Sequence, residues 1–117
     1  MNEKEILKIA AKALDDKKAK DLTALQISDL TVLCDYFLIA TATSSTHVHA
    51  LSDEVHEKLS ENGVTPHHIE GRATGWILLD YGCVVVHVFT PEAREYYNLE
   101  KLWADGEVVD ISSLTEE

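Results

Sequence analysis

Cysteine is scarce in this chain. Only Cys34 and Cys83 are present, with no CxxC pair, so no disulfide framework is expected and a reducing cytoplasm is the default compartment. Long apolar runs are missing too, and none reaches the length needed to span a bilayer. The N-terminus enters a Lys/Glu-rich helical pattern directly, without the layout of a signal or transit peptide. Internal repeats, linkers and low-complexity segments do not occur. Positive charge is short over most of the length. Residues 1–20 hold six lysines against four acids, but residues 21–117 hold four basic residues against seventeen acids, for a net charge of −11. A body this acidic repels phosphates and argues against broad nucleic-acid binding. A basic protein surface is the easier partner electrostatically, although acidic charge also serves plain solubility.

What is present fits one soluble domain. The 117 residues are 45% hydrophobic and 26% charged, enough for a core without staples. Residues 2–18 read as a helix, with Asn2 and Glu5 resembling a capping box and Ile6, Ile9, Ala10, Ala13 and Leu14 as the apolar stripe. Residues 22–28 alternate like a strand, and residues 35–42 form a continuous β-prone run typical of a central strand. Ser44, Ser45 and Thr46 offer caps for a second helix ending near Asn62, with Val48, Leu51, Val55 and Leu59 buried and Gly63 as its stop. A short strand over 67–70, a loop over 71–75, a hairpin and a third short helix opening at Thr90-Pro91-Glu92 complete the order α-β-β-α-β-β-β-α. This predicts a single α/β domain, a mixed sheet of about five strands packed by helices, followed by an acidic tail over 104–117 without clear period.

The hairpin, GWILLDYGCVVVHVF over 75–89, is the most informative stretch. With Tyr81-Gly82 as a two-residue turn, Asp80 pairs with Cys83, Leu78 with Val85 and Trp76 with His87. Alternation then separates an aliphatic face (Ile77, Leu79, Val84, Val86, Val88) from a mixed one carrying Trp76, Leu78, Asp80, Cys83, Val85, His87 and Phe89. If all the helices cover the aliphatic face, the Trp76 face stays partly open to meet another molecule. Trp76 and Leu78, with Asp80, Tyr81 and the nearby Glu70, would form an aromatic-aliphatic patch with an acidic edge, the composition of a protein-binding hot spot.

Catalytic signals are weak by comparison. The TATSSTHV segment could cradle an anion at a helix start, but it has no Walker-type glycines and no lysine, and capping by Ser45 or Thr46 explains it more simply. His47 and His49 splay apart on a helix, and His67 and His68 point to opposite sides of a strand. His49 and Asp53 lie one turn apart without an evident third ligand, so no metal or other cofactor is expected. Cys34 and Cys83 have no indicated base. His87 reads as a hydrogen-bonded sheet residue. Asp105 and Glu107 read as solvated acids.

Together, KKAKDLTALQIS, DYFLIATATSSTHVHALSDEVHEKL, IEG and GWILLDYGCVVVHVFTPEAREYYNLEKLW resemble the ribosomal silencing factors, or Iojap-like proteins, over residues 5–103. Two positions depart from the family pattern: Ala42 stands where Gly is usual, and Cys83 where Asp is usual. The resemblance implies an Iojap-like domain over 1–103 with a fold related to nucleotidyltransferases. It implies a non-enzymatic cytoplasmic repressor that binds the large ribosomal subunit through ribosomal protein fourteen. The bound factor would block joining of the small subunit when nutrients are short. By position, the contact surface carries over to Trp76, Leu78, Asp80 and Tyr81, with Glu70 as an acidic neighbour, and homodimers are also implied. The rival readings are a small nucleotidyltransferase or nucleotide-binding protein using the TSS turn, and a dimerisation module whose mixed face pairs with itself.

Overall fold

The structure is a computed structural model and describes residues 2–28, 30, 34–71, 75–110 and 114–115. Helix α1 (Glu3–Asp16) starts where Asn2 Oδ1 accepts a bond from the Glu5 amide at 2.9 Å. Strands β1 (Lys20–Gln26) and β2 (Tyr36–Thr41) follow, then α2 (Ser45–Glu61), capped by Ser44. Next come β3 (His68–Glu70), β4 (Trp76–Asp80) and β5 (Val84–Phe89). Thr90 caps α3 (Pro91–Tyr97), and Asn98 links it to the single turn of α4 (Leu99–Leu102). Residues 107–109, expected in an acidic tail without clear period, form β6 (Glu107–Val109) on the free edge of β1, where Ala24 pairs with Val109, Leu25 with Val108 and Gln26 with Glu107. The sheet is therefore mixed, as expected, but six-stranded, in the order β3-β4-β5-β2-β1-β6. Among the described strands, only the central β2–β5 pair is parallel. None of the helices among the described residues is long and apolar enough to cross a membrane. Most of the 71–75 loop lies outside the described residues.

The hairpin register differs from the expected one. Trp76 pairs with Phe89, Leu78 with His87 and Asp80 with Val85. The turn has moved one residue along: the Tyr81 amide bonds the Val84 carbonyl at 2.9 Å, leaving Gly82 and Cys83 as the loop. Gly82 sits at φ +84, where glycine is favoured, and its amide donates to Asp80 Oδ1 at 2.8 Å. Moving a turn by one residue moves every partner by two, so parity is kept and the two faces survive. Ile77, Leu79, Val84, Val86 and Val88 are all at most 1% exposed. Two residues at the turn depart from the expected faces: Cys83, expected on the mixed face, packs toward the helix-side core, and so does Tyr81. Tyr81 continues the odd-numbered alternation and packs into the aliphatic core, 5% exposed, rather than on the mixed face.

The helices do not all take the same side. α1 and α2 bury Ile6, Leu7, Ala10, Leu14, Val48, Leu51, Val55 and Leu59 against the aliphatic face. α3 and α4 cross to the other face, where Ala93, Leu99 and Trp103 pack with Leu25, Ile27, Ile39 and Phe89. The crossing is tight at Gly75, whose carbonyl accepts the Thr90 amide at 2.8 Å. A Cβ there would lie 2.7 Å from Thr90 Oγ1. α3 and α4 thus roof part of the mixed face, and among the described residues it stays open toward β3 and β4.

Adjacent residues of β4 should respond unequally to truncation. Leu79→Ala opens a cavity in a fully buried site and is expected to cost about 2–5 kcal/mol. Leu78→Ala, on the half-buried open face, should cost under about 1 kcal/mol. Urea unfolding of the two variants measures both, and equal losses would contradict this division of faces.

Candidate protein-docking face

Alternation in β3 and β4 brings His68, Glu70, Trp76, Leu78 and Asp80 to one side of the sheet edge, with His68 opposite Asp80 and Glu70 opposite Leu78. Trp76 is half-buried rather than open. Its ring stacks on Phe89, with centroids 5.2 Å apart, and meets Tyr97 of α3 at 4.6 Å. Its indole N–H donates to His87 Nδ1 at 3.1 Å. That bond leaves the ring proton of His87 on Nε2. His87 is itself 3% exposed, and Phe37 stands edge-on to it at 4.7 Å. Phe37 in turn meets Trp103 at 5.4 Å. A continuous seam of rings therefore runs across the face from Trp103 to Tyr97, with Tyr96 beyond it 82% exposed.

Leu78 forms the ridge between two shallow hollows. One, of about 240 Å³, is walled by Trp76 and Tyr97 with Glu70 at its rim. The other, of about 280 Å³, is walled by Phe37, Val85 and Trp103 with Asp80 and His68 at its rim. His68 Nε2 lies 3.6 Å from Asp80 Oδ2 and 3.8 Å from Glu70 Oε2. Exposed pairs of this kind hold little energy, so both carboxylates can turn to a better cation. Four of the five residues named from the sequence (Glu70, Trp76, Leu78 and Asp80) are brought together here, and Tyr81 is not. Tyr97, Phe37 and Trp103 belong to the face and were missed. Their only signal is the aromatic spacing of YYNLEKLW and the alternation of β2, neither of which says on which side α3 lands.

The geometry offers little to catalysis. Burial, with Asp80 and Asp35 nearby, pushes the Cys34 thiol up to about 11, and burial also raises Cys83, so neither is primed as a thiolate. Cys83 sits in the turn and packs toward the helix-side core, so its thiol takes no carboxylate away from the open face. The TSS turn is occupied by capping. Ser44 Oγ accepts the His47 amide, and the Thr43 amide donates to His47 Nδ1 at 2.9 Å while Nε2 lies 2.8 Å from the Lys17 carbonyl. Ala42 is fully buried and is not among the residues with positive φ, so that turn places no glycine-only demand on the backbone. No group of three or more potential metal ligands occurs among the described residues.

Burial of His87 lowers its pKa from 6.5 to about 4. As pH falls below 6.5, the unfolded chain takes up a proton that the native ring refuses. Stability should drop through that window and level off below about 4. A shift of this size corresponds to roughly 3 kcal/mol. Replacing His87 by Asn, which can still accept from the indole, should flatten this part of the profile. Urea unfolding from about pH 7 to about pH 4 tests it, and an unchanged slope would count against a neutral buried imidazole.

Comparison with known proteins places this face in context. The model of the family described as ribosomal silencing factor during starvation matches residues 1–117. The ribosomal silencing factor RsfS of Bacillus subtilis is 46% identical over 112 residues, covering 95% of each chain. The chloroplastic protein Iojap of Zea mays is 31% identical over 101 residues, 86% of this chain and 44% of that one. A crystal structure of a Chromobacterium violaceum protein superposes with a TM-score of 0.86 at 44% identity, covering 89% of this chain and 88% of that one.

Proposed function

The chain belongs to the ribosomal silencing factor family, non-enzymatic regulators of translation that bind the large ribosomal subunit and block subunit joining, and from that premise we propose that it docks on ribosomal protein fourteen through the open end of its sheet. The observation that carries this is the half-buried Trp76 beside Leu78, edged by Glu70 and Asp80, on a body with a net charge of −11. Trp76 and Leu78 supply apolar anchoring. Glu70 and Asp80 face lysine or arginine side chains of a basic ribosomal surface. Tyr81 acts from behind, as core beneath the turn that presents Asp80. The bound body then occupies space the small subunit needs, in the cytoplasm and under nutrient shortage. Repression follows from occupancy alone, without turnover.

A hot-spot Trp contributes roughly 2–4 kcal/mol, about thirty- to a thousandfold in affinity. Trp76→Ala should therefore abolish co-sedimentation with purified large subunits while the protein stays folded. Retained co-sedimentation would refute the proposed contact. Glu70→Lys should slow association several-fold at low salt, with the difference shrinking as salt rises. Stopped-flow binding at two ionic strengths measures it, and salt-independent rates would argue against a cationic partner surface.

A further inference from the structure

Arg94 of α3 is drawn in almost completely, its side chain 13% exposed. Every nitrogen of its guanidinium is engaged. Nε donates to Glu100 Oε1 of α4 at 2.9 Å. Nη1 donates to Thr41 Oγ1 of β2 at 2.8 Å and to the carbonyl of Asp21. Nη2 donates to Thr23 Oγ1 of β1 at 3.1 Å. Two left-handed residues make this convergence possible. Asp21 lies at φ 47, where the register of β1 shifts between Lys20 and Thr23. Asn98 lies at φ 45 and folds α4 back so that Glu100 meets Arg94. A planar fork with fixed donor directions suits this set of acceptors, and a lysine ammonium does not.

Apolar packing alone holds these helices poorly, because neither α3 nor α4 buries any residue completely. Yet α3 ends on Tyr97, packed against Trp76, and α4 leads into Trp103, packed against Phe37. Both ends of the aromatic seam hang on an element that Arg94 fastens to the sheet. Resting on the docking reading above, we propose that Arg94 is a positioning residue: by clamping α3 and α4 onto β1 and β2, it holds Tyr97 against Trp76 and so sets the shape of the surface that meets the large subunit. Arg94 itself stays on the far side of that element, lining a separate hollow with Asp21, Thr41 and Glu100.

The test is a double-mutant cycle on affinity for purified large subunits, using Arg94→Gln, Tyr97→Ala and the pair. If Arg94 acts through Tyr97, each single change weakens binding about tenfold and the pair does little more. Losses that multiply, or an Arg94→Gln protein with wild-type affinity, would overturn the proposal. Glu100→Gln, which keeps the shape of the side chain, should give a milder loss in the same direction and serves if Arg94→Gln does not fold. A readout in the free protein separates positioning from general destabilisation. The Trp76 indole proton resonance, shifted by the Tyr97 ring, should move in Arg94→Gln toward its position in Tyr97→Ala. A resonance that stays at the wild-type position in a folded Arg94→Gln protein also overturns the proposal. If instead Trp76→Ala retains full affinity, the docking face is misplaced, and that failure is distinct because the free-protein resonance still reports on the clamp.

Discussion

The five residues of β4, Trp76 to Asp80, are held between β3 and β5, and a strand so placed has no freedom to rotate. Alternate side chains must point to opposite faces. Ile77 and Leu79 go under α1 and α2, where burial of each side chain contributes about 1.5–3 kcal/mol. That burial commits Trp76, Leu78 and Asp80 to the other side whatever their own preference. A slip by one residue would expose Ile77 and Leu79 and bury a carboxylate, losing several kcal/mol. The aliphatic core thus fixes the composition of the outer face, and the outer face need contribute little to stability to be held in place.

What the core does not fix is the rigidity of that face, and here the aromatic seam matters. A large ring left half-exposed would ordinarily sample several rotamers. Trp76 is restrained by Phe89 beneath it, by Tyr97 beside it and by its bond to His87. The imidazole can accept that bond because burial keeps it neutral. A protonated ring would carry hydrogens on both nitrogens and could not accept at Nδ1. One buried, uncharged histidine therefore orients the Trp76 indole on the open face.

Much of this was legible in the sequence. The stripes of α1 and α2, the Asn2 cap and the two faces of the hairpin follow from period and capping chemistry. Three successive hydroxyl residues leave the first helical turn of α2 ambiguous, and its cap is Ser44 rather than Ser45 or Thr46. The exact turn of the hairpin did not follow either, because Tyr81-Gly82 and Gly82-Cys83 both place a glycine in a two-residue loop. The Asp80 carboxylate, bonding the Gly82 amide, goes with the second choice. The same ambiguity put Tyr81 on the wrong side. β6 was missed because three residues carry too little pattern. The side taken by α3 was illegible for a different reason: a seven-residue helix with no fully buried position has almost no stripe to read. Its placement is decided by Gly75, Thr90 and Arg94, contacts between segments far apart in the chain.

A factor that works by occupancy has only binding energy at its disposal. Association carries a large entropic cost for immobilising partners and their side chains, and a surface already rigid before contact avoids part of it. Tyr and Trp suit that role because they offer wide contact area with few rotatable bonds. On the proposed docking, the acidic edge adds little energy where it stays in water, but it would speed encounter and set orientation toward a cationic surface. On that docking, the division of labour on this face is physical: stacked rings for residence time, carboxylates for approach. It also explains how so small a chain can act without chemistry. The hollows beside Leu78 are shallow, and the nucleophilic groups nearby are buried and protonated. A rigid, acid-edged aromatic face suits a factor of this non-enzymatic family if it acts through the docking proposed above.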